Sequence, residues 1–207
     1  MGKMHAEGVT LIELLVALSI LAILLTLGVP AFNGFLASTR MSAASNDVVS
    51  ALHLARSEAI KRQSSVTLCA SENALSPDPS CSGAANPGSG WLVFVDTDGD
   101  VSVDAGELIV SARGPLLEQI SLNSAWGNGG DGAPFYAGFG STGQRQDHPA
   151  AGSRSLVNIQ LCDERGNTDT GGGIAAGRWV QLAPTGRPHL YREQAQIQGP
   201  GNPLGGC

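Results

Sequence analysis

Gly8-Val9-Thr10-Leu11-Ile12-Glu13-Leu14-Leu15-Val16-Ala17-Leu18-Ser19-Ile20-Leu21-Ala22-Ile23-Leu24-Leu25 opens the stretch that decides the fold, and from Leu14 to Thr39 no side chain is charged. As a helix, the mainly apolar run from Leu14 to Leu36 would be about 34 Å long, enough to cross a hydrocarbon core of about 30 Å. A cleaved secretory signal needs a shorter apolar stretch followed by a small-residue cleavage site, whereas this run continues into a helical pattern. The reading is a single membrane span, with the short polar leader and its Lys3 on the cytoplasmic side. Glu13 stands out, because a carboxylate at the edge of a membrane costs a few kcal/mol unless it has a partner or a task. A cut after Gly8 would place a new α-amino group on Val9, four residues from Glu13, so that two staggered helices could neutralise each other.

Beyond the run, Met41, Ala44, Val48, Leu52, Ala55 and Ala59 recur at helical spacing, so the helix continues as an amphipathic one. From Val9 to Arg62 it would measure about 80 Å. Pro30 removes one backbone hydrogen bond and loosens it. Arg56, Glu58 and Arg62 read as a solvated face with local ion pairs, and His53 as a packing or surface residue without ligand neighbours.

After Arg62 the period changes. SSVTLCA, GWLVFVD, ELIVSAR, QISLNS, PFYAGFG, SLVNIQLC and RWVQLA are short β-branched or aromatic runs separated by Gly, Pro, Asn and Asp. Seven to nine strands after one long helix predict an α+β head, with two antiparallel sheets packed face to face or on the helix. The 28 glycines and 14% charged residues agree with many turns and argue against a helical bundle or a disordered polyelectrolyte. A net charge of −6 excludes a broad basic field for nucleic acid, so any such binding must be local. The expected divisions are a leader 1–8, a transmembrane helix 9–36, an amphipathic continuation 37–62 and a β-rich head 63–207.

The segment Gly8 to Val16 resembles the class III signal of type IV pilins and type II secretion pseudopilins. In those proteins a prepilin peptidase cuts after the Gly, methylates the new amine and leaves a Glu at mature position five. Gly8, Val9 and Glu13 occupy those positions, Pro30 lies where many pilins carry a helix-kinking proline, and Val9 departs from the commoner Phe or Met. Leu52 to Arg62, Gly90 to Asp96, Gly106-Glu107, Leu161 to Gly166 and Thr185-Gly186-Arg187 resemble the GspH/FimT branch, which includes the FimU minor pilins. The resemblance covers most of the chain. It implies a minor pilin that primes or caps a type IV pilus-like fibre, or alternatively a GspH-type pseudopilin of type II secretion. It also implies an inner-membrane anchor with a periplasmic head, and as partners other pilins, the prepilin peptidase and the membrane.

Four cysteines, Cys69, Cys81, Cys162 and Cys207, permit three pairings in an exported head. Local closure favours Cys69 with Cys81, which leaves Cys162 to Cys207. Zinc is disfavoured, since no Cys-x-x-Cys or nearby His pair supplies tetrahedral ligands. Asp96, Asp98, Asp100, Asp104 and Glu107, with Ser102, follow the oxygen spacing of a calcium loop, but Val101 stands where that loop needs Gly and a strand precedes it. The segment is expected to be an acidic hairpin loop, with calcium as the alternative. No cofactor is expected, and no nucleophile triad, phosphate loop or paired-His motif supports catalysis. For DNA the candidates are Arg178, Arg187, His189 and Arg192, with Trp179 and Tyr191 close by to stack bases. Gly186-Arg187-Pro188-His189 resembles the Gly-Arg-x-Arg motif of DNA-binding FimT-type minor pilins, with His in place of the second Arg. Any contact would therefore be weak.

Overall fold

A computed structural model describes residues 9–82, 87–125, 136–148 and 155–207. The leader 1–8, and with it Gly8 and Lys3, lies outside the described residues. Helix α1 runs from Leu11 to Arg62, 52 residues, and continues through Pro30. Its start is marked by Thr10, whose hydroxyl accepts a hydrogen bond from the amide of Glu13. Lys61 and Arg62 in the last turn complement the helix dipole and both pair with Glu58.

The chain divides into two compact units, one ending at Ala37 and the other spanning Ser38–Cys207. In the first, the large apolar side chains from Val9 to Phe35 are at least 50% exposed and lie on all sides of the helix. In the second, the remainder of α1 presents a narrow apolar stripe. Met41, Ala44, Val48, Leu52, Ala55 and Ala59 are all buried, at the helical spacing read in the sequence.

Among the described residues, nine strands make two antiparallel sheets. The first has the order β3-β2-β1-β5-β6, built from β1 (Val66–Ala70), β2 (Trp91–Val95), β3 (Ile109–Arg113), β5 (Tyr136–Phe139) and β6 (Arg145–Gln146). The second has the order β4-β7-β8-β9, from β4 (Ser121–Ala125), β7 (Asn158–Cys162), β8 (Ile174–Leu182) and β9 (Pro188–Glu193). A short helix α2 (Gln194–Ile197) follows β9. Of these strands, β6 and β9 were not among the runs singled out in the sequence. Two residues are too few to show alternation, and β9 opens on a proline, which a sheet accepts only at an edge.

Strand alternation turns one face of each sheet to α1. Leu68, Ala70, Trp91, Val93 and Phe139 from the first sheet and Leu122, Ile159, Leu161, Val180 and Leu182 from the second join the helix stripe in one core. Arg113 fastens edge strand β3 to the helix. Its guanidinium pairs with Asp47 at 2.5 Å and lies 5.6 Å from the centre of the Trp91 ring. Arg56 corrects the expectation of a purely solvated helix face, since its Nε donates to the carbonyls of Gly143 at 3.0 Å and Thr185 at 3.3 Å. Glu58, Lys61 and Arg62 do form the local ion pairs. Disulfides join Cys69 to Cys81 and Cys162 to Cys207, the second tying the last residue of the chain to the end of β7.

Candidate functional site

The features with chemical potential fall into four groups. In the first unit, Glu13 sits in the first turn of α1 among exposed apolar neighbours, and Val9 lies two residues before the helix begins. A carboxylate on an apolar cylinder is suited to pairing with a cation brought by another molecule.

The second group is the acidic loop from Asp96 to Glu107, between β2 and β3. Its carboxylates fall into two overlapping sets in mutual reach, Asp96 with Asp98 and Glu107, and Asp98 with Asp100 and Asp104. Asp96 is fully buried, with Oδ2 accepting from the Thr67 hydroxyl at 2.8 Å and Oδ1 from the Gly99 amide at 2.8 Å. Glu107 closes the loop by accepting from the amide and hydroxyl of Thr97 and from the amide of Asp104. Asp98, Asp100 and Asp104 remain together at the surface with ligand atoms in mutual reach. Crowding by Asp100, then some loss of hydration, then Asp98, Glu107 and Asp96 hold the Asp104 carboxyl above its usual value. Val101, where a calcium loop would carry Gly, takes the left-handed conformation at φ +65°.

The third group was invisible in the sequence. Thr67, Asp96 and His148 are 29 and 81 residues apart along the chain, counted from Thr67, yet they meet in a buried cluster. His148 Nε2 lies 2.9 Å from the Thr67 hydroxyl oxygen. That hydroxyl has one proton and gives it to Asp96, so Nε2 of a neutral imidazole is the donor. The backbone makes room on both sides. A Cβ at Gly138 would lie 2.5 Å from Nε2, and one at Gly99 would lie 2.9 Å from Nδ1. Burial lowers the His148 pKa, and Asp96 and Asp147 oppose this without reversing it. The three side chains are at most 1% exposed, so they form an internal strut without access for a substrate.

The fourth group is the arginines proposed for DNA, which the structure disperses. Arg178 is buried and its Nη1 donates to the carbonyls of Ala175, Ala176 and Gly177, so it fills a bulge in its own strand and offers nothing to a phosphate in solution. Burial first, then Arg192 and Arg165, lower its pKa, while Asp163 acts the other way. Arg187 and Arg192 are exposed but five residues apart, just before and near the end of β9, a separation of about 17 Å along an extended strand. Trp179 is buried, its ring stacked on Tyr191 at 4.2 Å, so it presents no free face to a base. What remains at the β8–β9 turn is Arg187 with His189, whose ring lies 6.0 Å from Tyr191. The separation of Arg187 from Arg192 has a simple cause. Proximity in sequence was read as proximity in space along a strand, where five residues span a large part of the sheet.

No curated protein matches the sequence. Two crystal structures of the type IV minor pilin FimU of Pseudomonas aeruginosa are similar in fold. One is 16% identical with TM-score 0.43, covering 74% of this chain and 89% of that one. The other is 17% identical with TM-score 0.41, covering 72% and 91%. The prokaryotic N-terminal methylation motif matches residues 3–29, which fits the apolar start of α1 as the anchor of a pilin-type protein. The family model described as type II transport protein GspH matches residues 44–186, more than half of the chain and the head up to the start of β9. The chain therefore belongs to the GspH family, as a subunit of the minor pilin and pseudopilin class.

Proposed function

We propose that this chain is a minor pilin that primes or caps a type IV pilus-like fibre. The observation that carries the reading is α1, whose first part is apolar and exposed while its second part is spent on the head core. Neighbouring subunits and, before assembly, the inner membrane would cover the apolar part. Prepilin peptidase would cut between Gly8 and Val9 and methylate the amine of Val9, leaving the head in the periplasm. The role is structural rather than catalytic. Intact-mass measurement of membrane-extracted protein from cells with and without the peptidase tests the cleavage, and an unshortened chain in both would refute it.

The description of the matching family favours a second reading, a pseudopilin of type II secretion. Deleting the protein and scoring surface pili, twitching and transformation beside secreted-enzyme halos separates the two. Loss of secretion alone would assign it to the secretion system.

Contact with DNA, as part of uptake, would rest on Arg187 and His189 at the β8–β9 turn, both exposed. With one or two phosphates neutralised, affinity would fall with salt at a log-log slope of about −1 to −2. A titration with duplex DNA at low salt in which Arg187→Ala changes nothing would remove this reading.

A further inference from the structure

The face of the second sheet turned away from α1 carries a cleft. Val180, Leu182 and Leu190 belong to the core against the helix, so alternation along β8 and β9 puts Trp179, Gln181 and Tyr191 on the opposite side. Trp179 and Tyr191 pair across the two strands, and their rings stack at 4.2 Å. From the end of β9 the chain passes back over this face. Ile197 of α2 is fully buried in a cluster with Ala175, Trp179 and Tyr191. Asn202 holds the turn that follows, its Nδ2 donating to Gln160 Oε1 and to the Ile197 carbonyl, both at 2.8 Å. The cleft left between sheet and returning chain measures about 430 Å³, and is lined by Trp179, Gln181 and Tyr191 from the strands and by Ala195, Gln196 and the turn 199–201. That volume is ordinary for a small-molecule site, and both contributing segments are tied down without a ligand.

The lining selects the kind of ligand. No charged side chain lines the cleft among the described residues. The Tyr191 hydroxyl donates to Gln181 Oε1 at 3.2 Å, which leaves the two protons of Gln181 Nε2 without a partner among the described residues. The carboxamide of exposed Gln196 has no partner there either. The indole Nε1 of Trp179 already donates to Asn158 Oδ1 at 3.0 Å, so this ring brings only apolar carbon. Aromatic carbon beside open amide donors and acceptors, with no charge, suits an uncharged ligand that has both C–H surface and hydrogen-bonding groups. A pyranose sugar is built in this way. An acetamido substituent adds an N–H and a C=O that complement a glutamine carboxamide, and a methyl group for the rings. A nucleobase is also flat, but it arrives with phosphates, and Glu193, on the same side of β9 as Tyr191, would repel them.

We propose that the cleft between β8, β9 and α2 binds a glycan of N-acetylhexosamine. The Tyr191 ring, held in place by Trp179, packs against the sugar, while Gln181 and Gln196 bond its acetamido group and hydroxyls. The site lies wholly within the unit Ser38–Cys207, so it stands whichever fibre the chain joins.

The test uses the full chain in a detergent without a sugar headgroup. Tri-N-acetylchitotriose is titrated in by calorimetry, and saturation-transfer NMR records which of its protons touch the protein. Binding is expected, with transfer to the acetamido methyl groups. Gln196→Ala should weaken it about fivefold, the effect of one lost hydrogen bond. This residue is exposed and Ala favours a helix, so the variant keeps the fold. Tyr191→Ala should abolish binding, and since it also strips packing from α2, Gln196→Ala decides where that variant fails to fold. Gln198→Ala, exposed and outside the cleft, should change nothing. Affinity should be the same at low and high salt, as an uncharged ligand requires. Absence of heat and of transfer at millimolar sugar would overturn the site, as would binding that survives both Gln196→Ala and Tyr191→Ala. Equal affinity for maltotriose would overturn the acetamido assignment while upholding a pyranose site. Displacement of the sugar by single-stranded DNA, lost in Gln196→Ala, would overturn the glycan in favour of a nucleobase.

Discussion

The imidazole of His148 and the carboxylate of Asp96 lie 3.8 Å apart across the hydroxyl of Thr67, which is bonded to both. Thr67 belongs to β1 in the middle of the first sheet, Asp96 begins the acidic loop, and His148 follows β6, so one buried strut ties two loops to the sheet. Its charge state has a consequence for stability.

Because the folded protein lowers the His148 pKa from 6.5, the unfolded chain binds the proton more readily. The stabilisation is complete above about pH 6.5 and is lost as pH falls through the folded pKa. Melting temperature should therefore drop on acidification below about pH 6.5, and His148→Gln should flatten that part of the profile. At neutral pH the same variant should cost about 1–3 kcal/mol, because it loosens a buried network. An unchanged pH profile in His148→Gln would show that other groups set the acid limit.

Leu52 is fully buried in the helix stripe, whereas Leu27 is 71% exposed on the same helix. Leu52→Ala should lower the stability of the head by about 2–5 kcal/mol in chemical denaturation. Leu27→Ala should leave head unfolding unaltered and act, if anywhere, on assembly.

The disulfide from Cys162 to Cys207 closes 45 residues and that from Cys69 to Cys81 closes 12. On chain entropy the first stabilises by about 4 kcal/mol and the second by about 3 kcal/mol. Replacing Cys162 and Cys207 with Ser should lower the melting temperature more than replacing Cys69 and Cys81. It should also free the glycine-rich end, which hydrogen exchange would register as faster exchange of the Cys207 amide, now bonded to Asn167.

Glu13 is expected to act between subunits. Glu13→Ala should insert into the membrane and lose its leader as the parent does, yet incorporate poorly into fibres, as measured by the amount of this subunit in sheared filaments. Normal incorporation would count against a pairing with the amine of Val9 in a neighbour.

Much of this protein is local in its physics and was open to a reading of the sequence alone. The uncharged run after Glu13 and the stripe from Met41 to Ala59 are repeats set by helix geometry, so α1 and its two environments followed from spacing. The strands showed as β-branched runs between turn residues, and the resemblance at Gly8 to Glu13 and along the head led to the family. Only tertiary structure decided which polar residues meet. Asp96 was read only as an acidic-loop oxygen, and Thr67 and His148 drew no notice, until two loops closed over the central strand of the first sheet, since long-range pairing leaves no periodic mark in the chain. Arg178 looked like a surface cation beside Arg187 and Arg192, but a bulge in β8 turned its guanidinium onto its own carbonyls. The extended rise of β9 meanwhile carried Arg187 and Arg192 apart, and the fold brought Arg165 to Ser38 instead. Charge type is written in the sequence, but burial and neighbourhood, which set what a charge can do, arise only when distant segments pack.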